Sequence, residues 1–251
     1  IKKIQLTIVS LLLIGSVSAD SIGSIVEQSG SAQIKRQQED LVVTAAYLPE
    51  IELNDVAETA NGKLKIEFLD KAQLAIKEHS EVLIDEIYYD PDPSLSRMSM
   101  KFTMGTARFA SGSLGLVNKA NIDIQTPTAT IGIRGTDFTT TIDELGRSLI
   151  MLLPDANGDP SGEITVTNEA GVITLNQAYQ ATMVQSLNTM PTKPVTIGGI
   201  TPSMIDNMFI VNPPTEVKQA IQEQVDNDLN KDQGILDVDF LEYNELDKNI
   251  D

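Results

Sequence analysis

The sequence predicts an all-β fold, a two-layer β-sandwich or short β-roll, followed by a small helical, acidic region. Three observations carry this expectation. Short segments alternate apolar and polar residues, as in Leu64-Lys65-Ile66-Glu67-Phe68 and in Met98, Met100 and Phe102, the period-two pattern of half-buried strands. Polar breaks with Gly, Pro or Asp separate such segments at short, regular intervals. Helical periodicity is clear only late in the chain, where Val217, Ala220, Ile221 and Val225 fall at i, i+3, i+4 and i+8.

The chain opens with Lys2 and Lys3, an apolar stretch from Ile8 to Ile14, and small residues up to Val17 and Ala19. This is the pattern of a secretory signal peptide cleaved before Asp20. The apolar stretch is short for a membrane span, so no span is expected after cleavage. Ser21 to Ile34 reads as a strand pair turning at Ser29-Gly30, and Leu41-Val42-Val43 as a short strand; Leu53 to Glu58 is mostly polar and gives a weak strand signal. Strands follow at 64–68, 73–76 and 81–88, then the exposed loop Asp90-Pro91-Asp92-Pro93-Ser94, in which proline fixes the backbone.

Met98 to Phe102 and the Gly-bounded run from Gly105 to Gly112 read as separate strands. Further strands are expected at 120–125, 129–133, 137–142, 148–153 and 179–184, with a hairpin over 163–175. Pro213-Pro214 and a capping Thr215 introduce a helix over 216–225; Pro202 to Ile210 reads as another short helix. The expected organisation is a signal peptide over 1–19, a β domain over 20–188, a Pro/Gly-rich linker with a short helix over 189–214, and a helix with an acidic tail over 215–251.

Composition limits the chemistry. Hydrophobic residues make up 41% of the chain, enough for a core, but aromatics are 4% and Trp is absent. That core must therefore rest on Ile, Leu, Val and Ala. The formal net charge of −18 argues against nucleic acid, whose phosphates need clustered Lys and Arg. Cysteine is absent and His79 is the single histidine. Disulfides, thiol catalysis and two-histidine schemes are excluded. Ser80 beside His79 is no triad, because neighbouring strand residues face opposite sides.

The segment Thr126 to Phe138 (TPTATIGIRGTDF) is the most informative. Arg134 ends an alternating strand, Gly135 permits a sharp turn, Thr136 can bond locally, and Phe138 returns a ring to the core. The planar fork of Arg134 can bridge carbonyls or a carboxylate. The reading favoured here is a buried staple of the turn; the other is a ligand contact.

Here the chain resembles the FecR domain. The resemblance is carried by Gly23 to Arg36 with its turn at Gly30, the Phe-x-Asp of Ile66 to Asp70, Ser80, the Gly-Thr-Ala-Arg of Gly105 to Arg108, a Thr-Pro, and the closing Arg134, Gly135, Thr136 and Phe138. It covers residues 21–140. The family has Asp-Gly-Ser where this chain has Asp70-Lys71-Ala72, so a different turn is expected there. The resemblance implies an exported β domain that binds a protein or glycan partner. The best-known members of that family are inner-membrane regulators with a cytoplasmic anti-sigma region. On this reading no such region precedes the leader, and the sigma-factor role is not expected.

An acidic constellation lies beyond the linker. Asp228, Asn230 and Asp232, with Asp239, are spaced like the oxygen ligands of half an EF-hand, although Gln233 holds the glycine position and Asp239 replaces the bidentate Glu. The same residues also read as a plain solvated acidic tail. No cofactor is expected, calcium being the one ion this pattern admits. The combined expectation is a non-catalytic binding or signalling-adaptor module, periplasmic or extracellular, in the envelope of a Gram-negative bacterium. The alternative is a structural or surface-assembly protein with a calcium-binding acidic tail.

Overall fold

The structure, a computed structural model, describes residues 21–36, 41–44, 50–117, 121–200 and 215–236. The expected signal peptide, the expected helix over 202–210 and Asp239 lie outside the described residues. Among the described residues, seventeen strands form two layers joined through one shared strand, so the fold is all-β as the alternation predicts.

The first layer runs β4 (Glu50–Ile51), β1 (Gly23–Ser29), β6 (Lys63–Phe68), β7 (Gln73–Ile76), the second half of β9 (Arg97–Ala110), β12 (Asp137–Ile142), β13 (Ser148–Leu152), β16 (Gln180–Val184) and β17 (Val195–Thr196). The second runs β3 (Leu41–Thr44), β2 (Ala32–Arg36), β5 (Asp55–Thr59), β8 (Glu81–Tyr88), the first half of β9, β10 (Ile122–Gln125), β11 (Thr130–Arg134), β14 (Glu163–Asn168) and β15 (Gly171–Leu175). These pairings are antiparallel except β9 with β10. Inward-facing residues of both layers, among them Ile66, Leu74, Ile84, Met100, Phe109, Ile131 and Phe138, form one core.

The two strands expected around Met98 and Gly105 are one strand of 14 residues that changes layer. Residues up to Met104 pair with β8, and residues from Gly105 pair with β12. Gly105 sits at the switch with φ 88. A Cβ there would meet Ser80 Oγ at 2.2 Å and the His79 carbonyl at 2.5 Å. Ser80 is buried at the same point; its Oγ accepts the Thr106 N–H (2.9 Å) and donates to the Thr106 carbonyl (3.2 Å).

Three expectations are corrected. The polar stretch 53–58 supplies most of β5, an interior strand between β2 and β8. Its Asp55 is fully buried and accepts Arg36 Nε and Nη2, each at 3.0 Å, together with the Glu52 N–H at 2.9 Å. A paired internal charge made a buried strand look polar. The stretch read as the start of a linker is packed: Thr192 is buried and donates its N–H to Met183, Val195–Thr196 pair with β16, and Ile197 is buried. The late helix is longer than its apolar period suggested, α2 (Thr215–Leu236).

Helix α2 sets Val217 against the outer face of β13 and β16, with Leu149, Met151, Ala181 and Met183. β13 is therefore buried on both faces, Ile150 and Leu152 toward the other layer and Leu149 and Met151 toward the helix. Its unbroken apolar sequence follows. A short helix not foreseen in the sequence, α1 (Ser113–Val117), follows β9.

Candidate functional site

The structure brings the two stretches Gly105–Arg108 and Arg134–Phe138 side by side. β9 and β12 pair Phe109 with Phe138 and Arg108 with Thr139. The two rings pack at 6.1 Å between centroids, tilted by 50°, inside the interlayer core. On the outer side of the same pair, Arg108 Nε and Nη2 donate to the two carboxylate oxygens of Asp137 at 2.8 and 2.5 Å. This is a two-pronged pair of the kind the guanidinium fork favours.

At the end of these strands lies an open cleft of about 440 Å³, bordered by Arg108, Ser111, Gly135, Asp137, Asp155 and Ser161. Gly135, at φ 59, makes the turn between β11 and β12. Its carbonyl faces Gly162, where a Cβ would come within 2.2 Å. The loop after β13 is tied to this turn by Ser161, whose Oγ accepts the Asp137 N–H (2.9 Å) and donates to the Leu153 carbonyl (2.7 Å). Asp155 organises the loop from within, accepting the N–H groups of Asn157 (2.8 Å) and Asp159 (3.0 Å) on Oδ1. The hydroxyl of Ser161 is thus committed to backbone, and the carboxylate of Asp137 to a guanidinium. This arrangement leaves fixed polar groups and backbone at the edge of the cleft, and those groups do not pair a nucleophile with a base.

A second anchor stands behind the cleft. Asp70 is buried and accepts the Ala72 N–H (3.0 Å) and the Tyr89 hydroxyl (3.2 Å) on Oδ1, and the Leu114 N–H (3.3 Å) on Oδ2. Its own carbonyl accepts the Ser113 N–H at 2.9 Å. Asp70 therefore fixes the chain that leaves Ser111 in the cleft and enters α1. Burial, and then the charge of Asp70, push the Tyr89 hydroxyl well above the ordinary tyrosine range.

The residues singled out in the sequence take different places. Phe138 and Asp70 are interior, and Gly30 makes the β1–β2 turn against Asn61. Arg134 does not staple that corner. Its side chain is 54% exposed on the outer face of the second layer, 3.6 Å from Glu163 across β14. The reason is alternation: Ile131 and Ile133 point inward, so Arg134 points out. Thr136 is buried, yet its hydroxyl makes no hydrogen bond. Lys71 adopts φ 70, the left-handed conformation that glycine takes without strain, so the turn keeps the glycine type of backbone despite the substitution. Asp228, Asn230 and Asp232 lie in α2 rather than in a loop; an EF-hand loop bends its backbone round the ion, and a helix does not. His79 is an exposed turn residue at φ 55. The partners of Arg108 and the role of Ser161 were not legible in the sequence, because both depend on strand register.

Residues 55–153 match the FecR protein family. The match begins after the Gly23 strand and extends past Phe138 through β13. No curated protein sequence matches the chain. Two crystal structures of a candidate anti-sigma factor from Parabacteroides distasonis are similar over 55% of this chain at 10% identity, with TM-scores of 0.40 and 0.39. The chain spans 59% of the length of those relatives. The cleft at Gly135 is built within the matched stretch, apart from Pro154 to Ser161. A second cavity, about 460 Å³ between α2 and the β14–β15 turn, lies wholly outside it.

Proposed function

We propose that this chain is an exported, non-catalytic FecR-domain protein that serves as a binding or signalling adaptor in the bacterial envelope. Its partner is a protein, and the docking point is the cleft at the Gly135 turn. The observation that carries this reading is that Arg108 from the one stretch and Gly135, Thr136 and Asp137 from the other border one open cleft. Its polar groups there are held by one another rather than poised for reaction.

The proposal includes export by cleavage after Ala19, and a fold that needs no calcium. The test uses Ala156→Lys, an exposed residue at the cleft. The full chain and the variant are expressed in a Gram-negative host and the envelope is fractionated. The reading expects periplasmic or secreted protein beginning at Asp20, with a stable envelope complex that the variant loses while its melting temperature stays unchanged. Cytoplasmic retention of the full chain, or equal complex formation by the variant, would contradict it.

A further inference from the structure

β15 ends the second layer, and β14 is its one partner strand among the described residues. Its far edge therefore presents backbone N–H and C=O groups without a ladder, a template for another strand. Proteins blunt such edges by shortening them or by placing charge or proline on them. The two ends of the first layer are short, β4 and β17 being two residues each. At the other end of the second layer, β3 directly follows Glu39 and Asp40. β15 has neither protection. It runs for five residues, Gly171-Val172-Ile173-Thr174-Leu175, without a charge or a proline. It lies in the longest uncharged run of the sequence, residues 170–192, in a chain of net charge −18. Val172, Leu187 and Met190 in that run are exposed.

Beside β15 lies the cavity of about 460 Å³, bordered by Ala170, Ile173, Met190, Pro191, Ala220 and Gln224 among others. Its walls are already fixed. Asn168 Nδ2 donates to the Ser186 carbonyl (3.0 Å) and the Thr189 carbonyl (2.7 Å), and Gln224 Nε2 donates to the Met190 carbonyl (2.7 Å). Leu175 is buried in the interlayer core, whereas Ile173 packs against that core only partly buried. The amide oxygen of Gln224 is buried and has no donor among the described residues. A strand edge, a helix and a groove between them are what an extended segment needs to add a strand and set alternate side chains into pockets.

We propose that β15 pairs with an extended, uncharged segment of a protein partner, whose alternate apolar side chains enter the cavity against Ile173, Met190 and Ala220. The open edge offers backbone groups, which another backbone matches. The two charges that border the cavity, Lys193 and Glu223, are opposite in sign, so the site selects no net charge. A second copy fits less well. It would bring its own α2 to the same groove, with Glu216, Glu223, Asp226, Asp228 and Asp232 against Lys218 and Lys231, and like charge opposes that approach. The site lies outside residues 55–153 that match the family and stands independently of the cleft at Gly135.

The probe is a displayed library of random decapeptides, selected on the full chain. Binders should carry apolar residues at alternate positions. The best of them, made synthetically, should slow amide hydrogen exchange across residues 171–175 by about tenfold or more. Two N-methylated forms of that peptide, each blocking one set of alternate amides, should differ in affinity by about tenfold or more, because a pairing strand uses one edge. The Val172→Lys, Thr174→Lys double variant, changed at two exposed positions, should bind about tenfold more weakly with an unchanged thermal melt. Ala156→Lys, at the Gly135 cleft, should bind like the parent. A library without binders, equal affinity of the two methylated forms, or unchanged exchange at 171–175 would overturn the proposal. Slowed exchange there that grows with the concentration of the chain alone would assign the edge to a second copy and overturn it too.

Discussion

At the scale of single residues, burial decides which parts of the Arg-Gly-Thr-x-Phe stretch carry stability. Arg134 is half exposed and 3.6 Å from its acid, the geometry of a surface pair worth little. Arg134→Ala should change stability by less than about 0.5 kcal/mol. Phe138 is fully buried against Phe109, and Phe138→Ala should cost about 3–5 kcal/mol. Urea melts of both variants check the contrast; equal losses would restore Arg134 as a staple. Lys71 is held at φ 70, which costs an L-residue about 1 kcal/mol. Lys71→Gly should therefore stabilise the fold by up to about 1 kcal/mol, despite losing the exposed contact to Glu67. The motif itself was legible in the sequence, and so was the interior place of Phe138. The exposure of Arg134 was legible too, since Ile131 and Ile133 already set the inward phase of β11. The unpartnered hydroxyl of Thr136 was not, because it depends on what surrounds the turn.

At the scale of elements, the change of layer within β9 is the joint of the molecule. Its two halves alternate correctly when read separately, which is why the sequence shows two strands. What joins them is Gly105 packed on Ser80, a contact between residues 25 apart along the chain with no local signature. Gly105→Ala places a methyl group against backbone and should cost about 3 kcal/mol. Ser80→Ala leaves the Thr106 N–H without its acceptor and should cost about 1–3 kcal/mol. Thermal melts with near-ultraviolet circular dichroism would measure both. A neutral Gly105→Ala would show that β9 has no tight bend there. β5 was obscured for another reason: the fully buried Asp55 looks like a loop residue until Arg36 is placed beside it.

At the scale of the whole molecule, charge sets the range of pH over which the sandwich holds. Hydrogen bonds from Lys35 and then Gln33 hold Glu58 below the ordinary glutamate value of 4.5, and those from Lys71 and then Gln73 do the same for Glu67. The unfolded chain binds more protons than the folded one as pH falls through this range, so stability is full above 4.5 and is lost below it. Tyr89 acts at the other limit. Its raised folded value keeps it protonated where the unfolded chain ionises, so stability is present below pH 10.0 and declines above it. Melting temperatures across pH should fall on both sides, and Tyr89→Phe should flatten the alkaline limb alone. The all-β class was legible because alternation is local. The sharing of one strand by two layers and the packing of 191–197 against β16 were not, because they depend on contacts distant in sequence.

Docking of a protein partner in the cleft at the Gly135 turn, as proposed, can be read in living cells. The most direct measurement is site-specific photo-crosslinking in living cells, with a benzoylphenylalanine placed at Ala156 in the cleft and, separately, at Leu53 in the exposed turn before β5. One discrete protein adduct is expected from position 156 and none from position 53. No adduct at 156, or the same adduct from both positions, would contradict it.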